Sequence, residues 1–192
     1  MRRGPIPGST GAVRPLRTYG DPVLHTPGRP VDGDARRSLP ALVEDLYASM
    51  YAARGVGLAA CQIGVPLRVF VYDCPDDEDR RHRGHVVNPR LVRVGGVTVR
   101  GPEGCLSLPG LEARTPRADL AVVEGEDLTG APVRIEGTGY FARCLQHECD
   151  HLEGRVYTER LTGPARRRTL RAVRRAPWSR PAPQEREEPA RG

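Results

Sequence analysis

A chain of 192 residues is long enough for one domain with its own core, and 22 Gly with 19 Pro favour turns and strands over a helical bundle. No apolar run approaches the ~20 residues needed to cross a bilayer, and the N-terminal MRRGPIPGSTGAVRPL has no apolar secretory segment, so a cytoplasmic protein without membrane contact is expected. All 30 basic residues are Arg, against 24 acids, and the net charge of +6 falls entirely within the nine Arg and three Glu that follow Gly163.

Residues 1–12 are rich in Gly, Pro and Ser and are expected to be disordered. From Ser38 to Ala53, Leu39, Leu42, Leu46 and Met50 recur at helical spacing. Ser38 reads as the N-cap, Pro40 lies just inside, and Gly55 reads as the stop. The stretch 55–62, GVGLAACQ, reads as a Gly-rich loop without the Lys-Ser/Thr of a phosphate loop. Strands are expected at 67–73, 85–94, 97–100, 120–125 and 132–137, with a charged surface loop at 75–84 and a hairpin turn at Asp127–Gly130. A second helix runs from about Thr138 to Glu153 and stops at Gly154; a third, weakly amphipathic, runs from Pro164 to Arg175, before Pro177, Pro181 and Pro183 break regular structure. The pattern predicts an α+β domain with antiparallel pairing. Five cysteines, an odd number in a chain of this size, argue against a disulfide framework.

The strongest chemical signal is His147-Glu148-Cys149-Asp150-His151. Residues four apart on an α-helix point about 40° apart, so both imidazoles can reach one ion, whereas Cys149, about 200° from His147, cannot share it. Tyr140, Phe141, Leu145 and Leu152 mark the same helix as buried, and burying two imidazoles and a carboxylate without a partner is costly. Glu148 is placed to take a proton from water. Among candidates for a third ligand, Cys105 stands out in Glu103-Gly104-Cys105-Leu106-Ser107, where Gly104 permits unusual backbone geometry. In the Gly-rich segment, Gly57 would let a substrate backbone approach closely and Gln62 would donate to an oxyanion.

Together, GVGLAACQ at 55–62, EGCLS at 103–107 and QHECDHL at 146–152 resemble the three motifs of the peptide deformylases, in the family's order and with no departure at a fixed position. The likeness runs from about Pro15 to Leu161. It implies an α+β fold of antiparallel β-sheets packed around a central helix carrying HExxH, in a catalytic domain at 13–163; the Arg-rich tail at 164–192 lies outside the likeness and is expected to be partly helical and then disordered. It implies metal-dependent hydrolysis of the N-formyl group from the N-terminal formylmethionine of nascent polypeptides, releasing formate. Cys105, His147 and His151 become the ligands of one divalent ion, Fe²⁺ in the cell, with Zn²⁺, Ni²⁺ or Co²⁺ as substitutes. Glu148 becomes the general acid/base on metal-bound water, and Gln62 with the Leu106 backbone N–H the oxyanion donors. Gly57 and Arg114 fall to the substrate site, and Cys144 either lines the pocket for the methionine side chain or is plain core packing; Glu103 and Gln146 either orient a ligand or Gln62, or satisfy local backbone groups. The expected partners are N-formylmethionyl peptides and, through Arg166–Arg175, a transient ribosome contact, which competes with a merely solvated helix; DNA is not among them.

Three rival readings remain at this level. Cys105 as a nucleophile with a histidine base predicts activity that survives metal removal. A structural metal module would supply a fourth protein ligand. An inactive relative acting only at the ribosome is disfavoured by the intact motifs.

Overall fold

The computed structural model describes residues 7–179. Helix α1 spans Ala35–Ala52 and is followed by strand β1 (Gly57–Ala59), β2 (Val69–Pro75), β3 (Arg81–Gly104), β4 (Glu112–Glu126) and β5 (Pro132–Thr138), then α2 (Gly139–Leu152) and α3 (Gly163–Arg175). The strands form one antiparallel sheet in the order β1-β2-β3-β4-β5, so every neighbour in sequence is a neighbour in space. An α+β chain with antiparallel pairing is thus observed, with a single sheet where several were expected.

Alternation along the strands divides the interior into two layers. Phe70, Tyr72 and Cys74 of β2 point to the side of α2, where they pack with Val86, Ala121, Val123, Phe141 and Leu145. Val69 and Val71 point the opposite way and pack with Leu39, Leu42, Leu46 and Met50 of α1. A strand covered on both faces reads as a near-continuous apolar run, which is why VFVYDC carries no polar alternation. A third cluster, Leu108, Val156, Tyr157, Leu161 and Val173, seats α3 against the turn after β3, with Trp178 beside it.

Several local expectations shift. Helix α1 begins three residues early, at Ala35; the Ser38 hydroxyl bonds the Ala35 carbonyl at 3.0 Å inside the first turns instead of capping. The helix is ended by Arg54 at φ 56°, in the left-handed region, while the Gly55 N–H reaches the Met50 carbonyl at 2.9 Å. The two strands expected at 85–94 and 97–100 are one, and Arg81–Gly84 of the expected charged loop belongs to it. Its register with β4 slips between Val87 and Arg90, Leu91 and Arg93, and Gly95 and Thr98. Gly96, at φ 70°, accommodates the last of these bulges, where a Cβ would lie 1.8 Å from Asp119 Oδ1. The 55–62 segment is not a loop: β1 pairs with β2 and a 3-10 turn covers Ala60–Ile63.

The hairpin at Asp127 forms as expected, with Asp127 Oδ1 accepting from the Thr129 and Ala131 N–H groups at 2.8 and 3.0 Å. Gly154, at φ 68°, terminates α2. At the N-terminus, residues 8–12 are not free chain: the Gly8 N–H donates to Glu44 at 2.9 Å and the Ala12 N–H to Asp45 at 2.7 Å, tying the segment to α1. Residues 1–6 and 180–192, including Pro181 and Pro183, lie outside the described residues. No described helix is long and apolar enough to cross a membrane.

Candidate active site

Three structural pieces meet at one cleft of about 680 Å³. The edge strand β1 and the turn after it bring Gly57 and Gln62; the end of β3 brings Glu103, Cys105 and Leu106; α2 brings Cys144, His147 and Glu148. His151 lies behind, one turn along α2 from His147, its ring 4.9 Å from the His147 ring and nearly perpendicular to it.

Side-chain donor atoms of Cys105, His147 and His151 all lie within 4.8 Å of one another. Cys105 Sγ is 3.2 Å from His151 Nε2. A tetrahedral ion with bonds of about 2.0–2.3 Å separates its ligands by about 3.3–3.6 Å, so small side-chain adjustments bring this set to an ion. Cys105 is held by backbone: the Ser107 N–H points to its sulfur at 3.4 Å and the Leu108 N–H to its carbonyl at 2.9 Å.

A buried charge network stands behind these groups. Glu103 accepts from His147 Nδ1 at 2.8 Å, from Arg117 Nε and a terminal nitrogen at 3.0 and 2.6 Å, and from Arg143 at 2.8 Å. Because a carboxylate only accepts, His147 carries a proton on Nδ1, which leaves Nε2 as the nitrogen that could ligate an ion. Arg117 continues to Asp150 at 2.6 Å, which Arg160 also holds. Burial alone would raise the Glu103 carboxyl, but the bonds from His147 and Arg117 hold it well below the usual carboxylate range. Burial, reinforced by His147 and Arg117, pushes His151 well below the usual imidazole value, which keeps the ring in the neutral form that ligates.

Glu148 is buried like Glu103 but lacks its donors. It is 3% exposed, its Oε2 has no hydrogen-bond partner among the described residues, and burial pushes its carboxyl up to about 7. A buried carboxyl poised near neutrality is suited to accept a proton and return it. Gln62, 1% exposed, is oriented by the Ala59 N–H, which donates to its Oε1 at 2.9 Å; its Nε2 therefore faces Ser107 Oγ at 3.2 Å and Cys105 Sγ at 3.6 Å.

Two expected site residues are elsewhere. Arg114 is exposed on β4, donates to the Arg100 carbonyl at 2.8 Å and does not line the cleft. Gln146 satisfies backbone instead of orienting a ligand, bonding Ala118 O at 2.8 Å and Ala142 O at 3.0 Å, since it projects from the side of α2 that faces β4. Gly104 shows no positive φ and simply ends β3. The close approach at Gly57 is made by Glu148, whose Oε1 would lie 2.3 Å from a Cβ there. Arg117 and Arg143 went unassigned in the sequence, although strand alternation offered a signal for Arg117. Thr115 and Arg117 share the inward face of β4 and Arg114 the outward one.

The polypeptide deformylase family model matches residues 13–167. Peptide deformylase 2 of Streptomyces avermitilis is 67% identical over 180 residues, covering 94% of this chain and 96% of its own. The peptide deformylase of Thermus thermophilus superposes with a TM-score of 0.75 at 44% identity, covering 85% of this chain and 94% of its own. A Met-Ala-Ser-bound deformylase from Acinetobacter baumannii superposes with a TM-score of 0.71 at 29% identity, covering 78% and 99%. With the three motif segments converging on one cleft and a family model spanning most of its length, the chain belongs to the polypeptide deformylase family of enzymes.

Proposed function

We propose that the protein removes the N-formyl group from N-terminal formylmethionine of nascent peptides by metal-dependent hydrolysis, releasing formate. The observation that carries this reading is the convergence of Cys105, His147 and His151 beside an unpartnered, buried Glu148 in one cleft. Cys105, His147 and His151 would hold one divalent ion, Fe²⁺ in the cell, with Zn²⁺, Ni²⁺ or Co²⁺ as substitutes; a Cys/His/His set suits all four. Bound there, the ion would polarise the formyl carbonyl and lower the pKa of water toward neutrality.

The remaining work falls to the chain. Glu148 takes a proton from water as its oxygen attacks the formyl carbon, then delivers that proton to the departing amide nitrogen as the C–N bond breaks. The Gln62 amide, held in one orientation by Ala59, and the Leu106 N–H donate to the carbonyl oxygen as it gains charge, each such donor being worth ~2.7–4 kcal/mol. Glu103 orients His147. Val56, Leu106 and Cys144 offer an apolar wall for the methionine side chain, consistent with a relative that binds a peptide beginning with Met. A substrate on nascent chains places the enzyme in the cytoplasm. The outward arginines of α3, Arg166, Arg167 and Arg174, would supply a transient ribosome contact; α3 is packed on Tyr157 and Leu161, so the clean test is charge reversal at those three positions followed by ribosome co-sedimentation at rising salt, not truncation. Salt-independent, unchanged sedimentation would end that part of the proposal.

The decisive experiment pairs elemental analysis of anaerobically purified protein with formate release from formyl-Met-Ala-Ser, for wild type and Glu148→Gln. The variant is expected to retain its ion and lose roughly 10²–10⁴ in kcat. Formate release that survives exhaustive metal removal but not thiol alkylation would instead favour Cys105 as nucleophile.

A further inference from the structure

We propose that the groove between α3 and the Pro109–Leu111 turn binds acidic side chains in the downstream part of the substrate peptide, an inference that rests on the deformylase reading above. The groove, about 650 Å³, is lined by Pro109, Leu111, Arg168, Arg171, Arg175 and Trp178, with Ala172, Ala176 and Pro177 beneath. Pro109 and Leu111 also line the catalytic cleft, so the two depressions share a wall and a chain leaving the cleft over that turn enters the groove. The shared wall is anchored from the α3 side, the Trp178 indole N–H donating to the Pro109 carbonyl at 3.0 Å.

Arg168, Arg171 and Arg175 are three, four and seven residues apart and therefore occupy one stripe of α3, about 60° wide, that faces the groove. All three are exposed, none forms an ion pair among the described residues, and no acid lines the groove. Guanidinium groups arrayed in this way match carboxylates geometrically as well as in charge. Nucleic acid phosphate has the same charge, but continuity with the catalytic cleft favours the peptide that must occupy that cleft. Inside the cleft Arg54 and Glu112 are of opposite sign, so residues immediately after the methionine should show no such bias. The selectivity therefore belongs to positions further along the chain.

The test uses full-length, metal-loaded enzyme and two readouts. In the first, kcat/KM is measured for formyl-Met-Ala-Ser peptides extended with neutral residues, a Glu-Glu pair being moved stepwise toward the C-terminus. The expected result is a gain of at least about threefold over the neutral peptide at one span of positions, expressed mainly in KM and fading at high salt. Replacing Arg168, Arg171 and Arg175 by Gln should abolish the gain and leave the neutral peptide unaffected; replacing Arg166, Arg167 and Arg174 by Gln should preserve it. In the second readout, emission from Trp178, the one tryptophan of the chain, is titrated with the same acidic peptide lacking its formyl group. This reports groove occupancy even if no formate is released, so failure of the groove and failure of the deformylase reading are distinguishable. A ratio near one at every position together with no Trp178 response, equal loss in both triple variants, or an effect of the groove variant on ribosome co-sedimentation alone would overturn the proposal.

Discussion

Replacing Gly57 by Ala tests the proposed role of Glu148 without replacing a titratable or ligating residue. A Cβ at this position would meet Glu148 Oε1 at 2.3 Å, its Cδ at 2.8 Å and Cys144 Sγ at 3.1 Å, whereas ordinary contact begins at 3.4 Å. Gly57 has no positive φ, so Ala fits the backbone. The strand itself cannot yield: Leu58 and Ala59 are fully buried and Gly57–Ala59 is in register with Phe70–Tyr72. The carboxylate must therefore move by about 1 Å, the scale of misplacement that costs about 10²-fold in rate. Forcing Glu148 off its rotamer costs about 1 kcal/mol, which lowers Tm by about 2–4 °C for a chain of this size. Ligand geometry at His147 and His151 is untouched, so metal content should be unchanged. Steady-state formate release, elemental analysis and a thermal melt on one preparation give all three numbers. A variant whose kcat stays within about threefold of wild type would refute the claim that the placement of this carboxylate limits turnover.

Two further outcomes follow from groups outside the reacting atoms. Arg117→Met leaves Glu103 and Asp150 buried with fewer partners, Arg143 and Arg160 remaining, so a stability loss near the lower end of about 3–5 kcal/mol is expected in urea unfolding; a loss below about 1 kcal/mol would show that the network is structurally idle. His85 accepts a hydrogen bond from the Leu128 N–H at 3.2 Å, and burial holds its pKa below the usual imidazole value. The unfolded chain then takes up this proton first, so the His85 contribution is present above about pH 6.5 and is lost as pH falls below it. His85→Gln should accordingly lose less Tm than wild type between about pH 7.5 and 5.5; equal losses would refute it.

Sequence alone determined what depends on short-range periodicity. His147 and His151 share a helix face because four residues nearly complete a turn, and Gly154 ends α2 because only a residue tolerant of positive φ fits there. Strand β2, read from its unbroken apolar run, and the Asp127 turn, read from its turn residues, are legible from equally local signals. Cys105 and Gln62 are candidates from their local surroundings, and motif resemblance joins them to the His147 helix, which no spacing argument could do.

Tertiary structure decided the rest. The sequence distance from Glu103 to His147 says nothing of their 2.8 Å contact, which exists because β3 continues through the Gly95-Gly96 pair to end beside α2. Arg117 and Arg114 are the same residue type three positions apart. Only the pairing of β4 with β3 and its burial against α2 set one inside a charge network and the other in solvent. The same holds for the two glutamates: Glu103 is held ionised by the donors around it, and Glu148 is raised toward neutrality by burial without such donors. Residue type sets what a carboxyl can do, but its proton affinity is a property of the surroundings, and those are assembled only when distant segments pack.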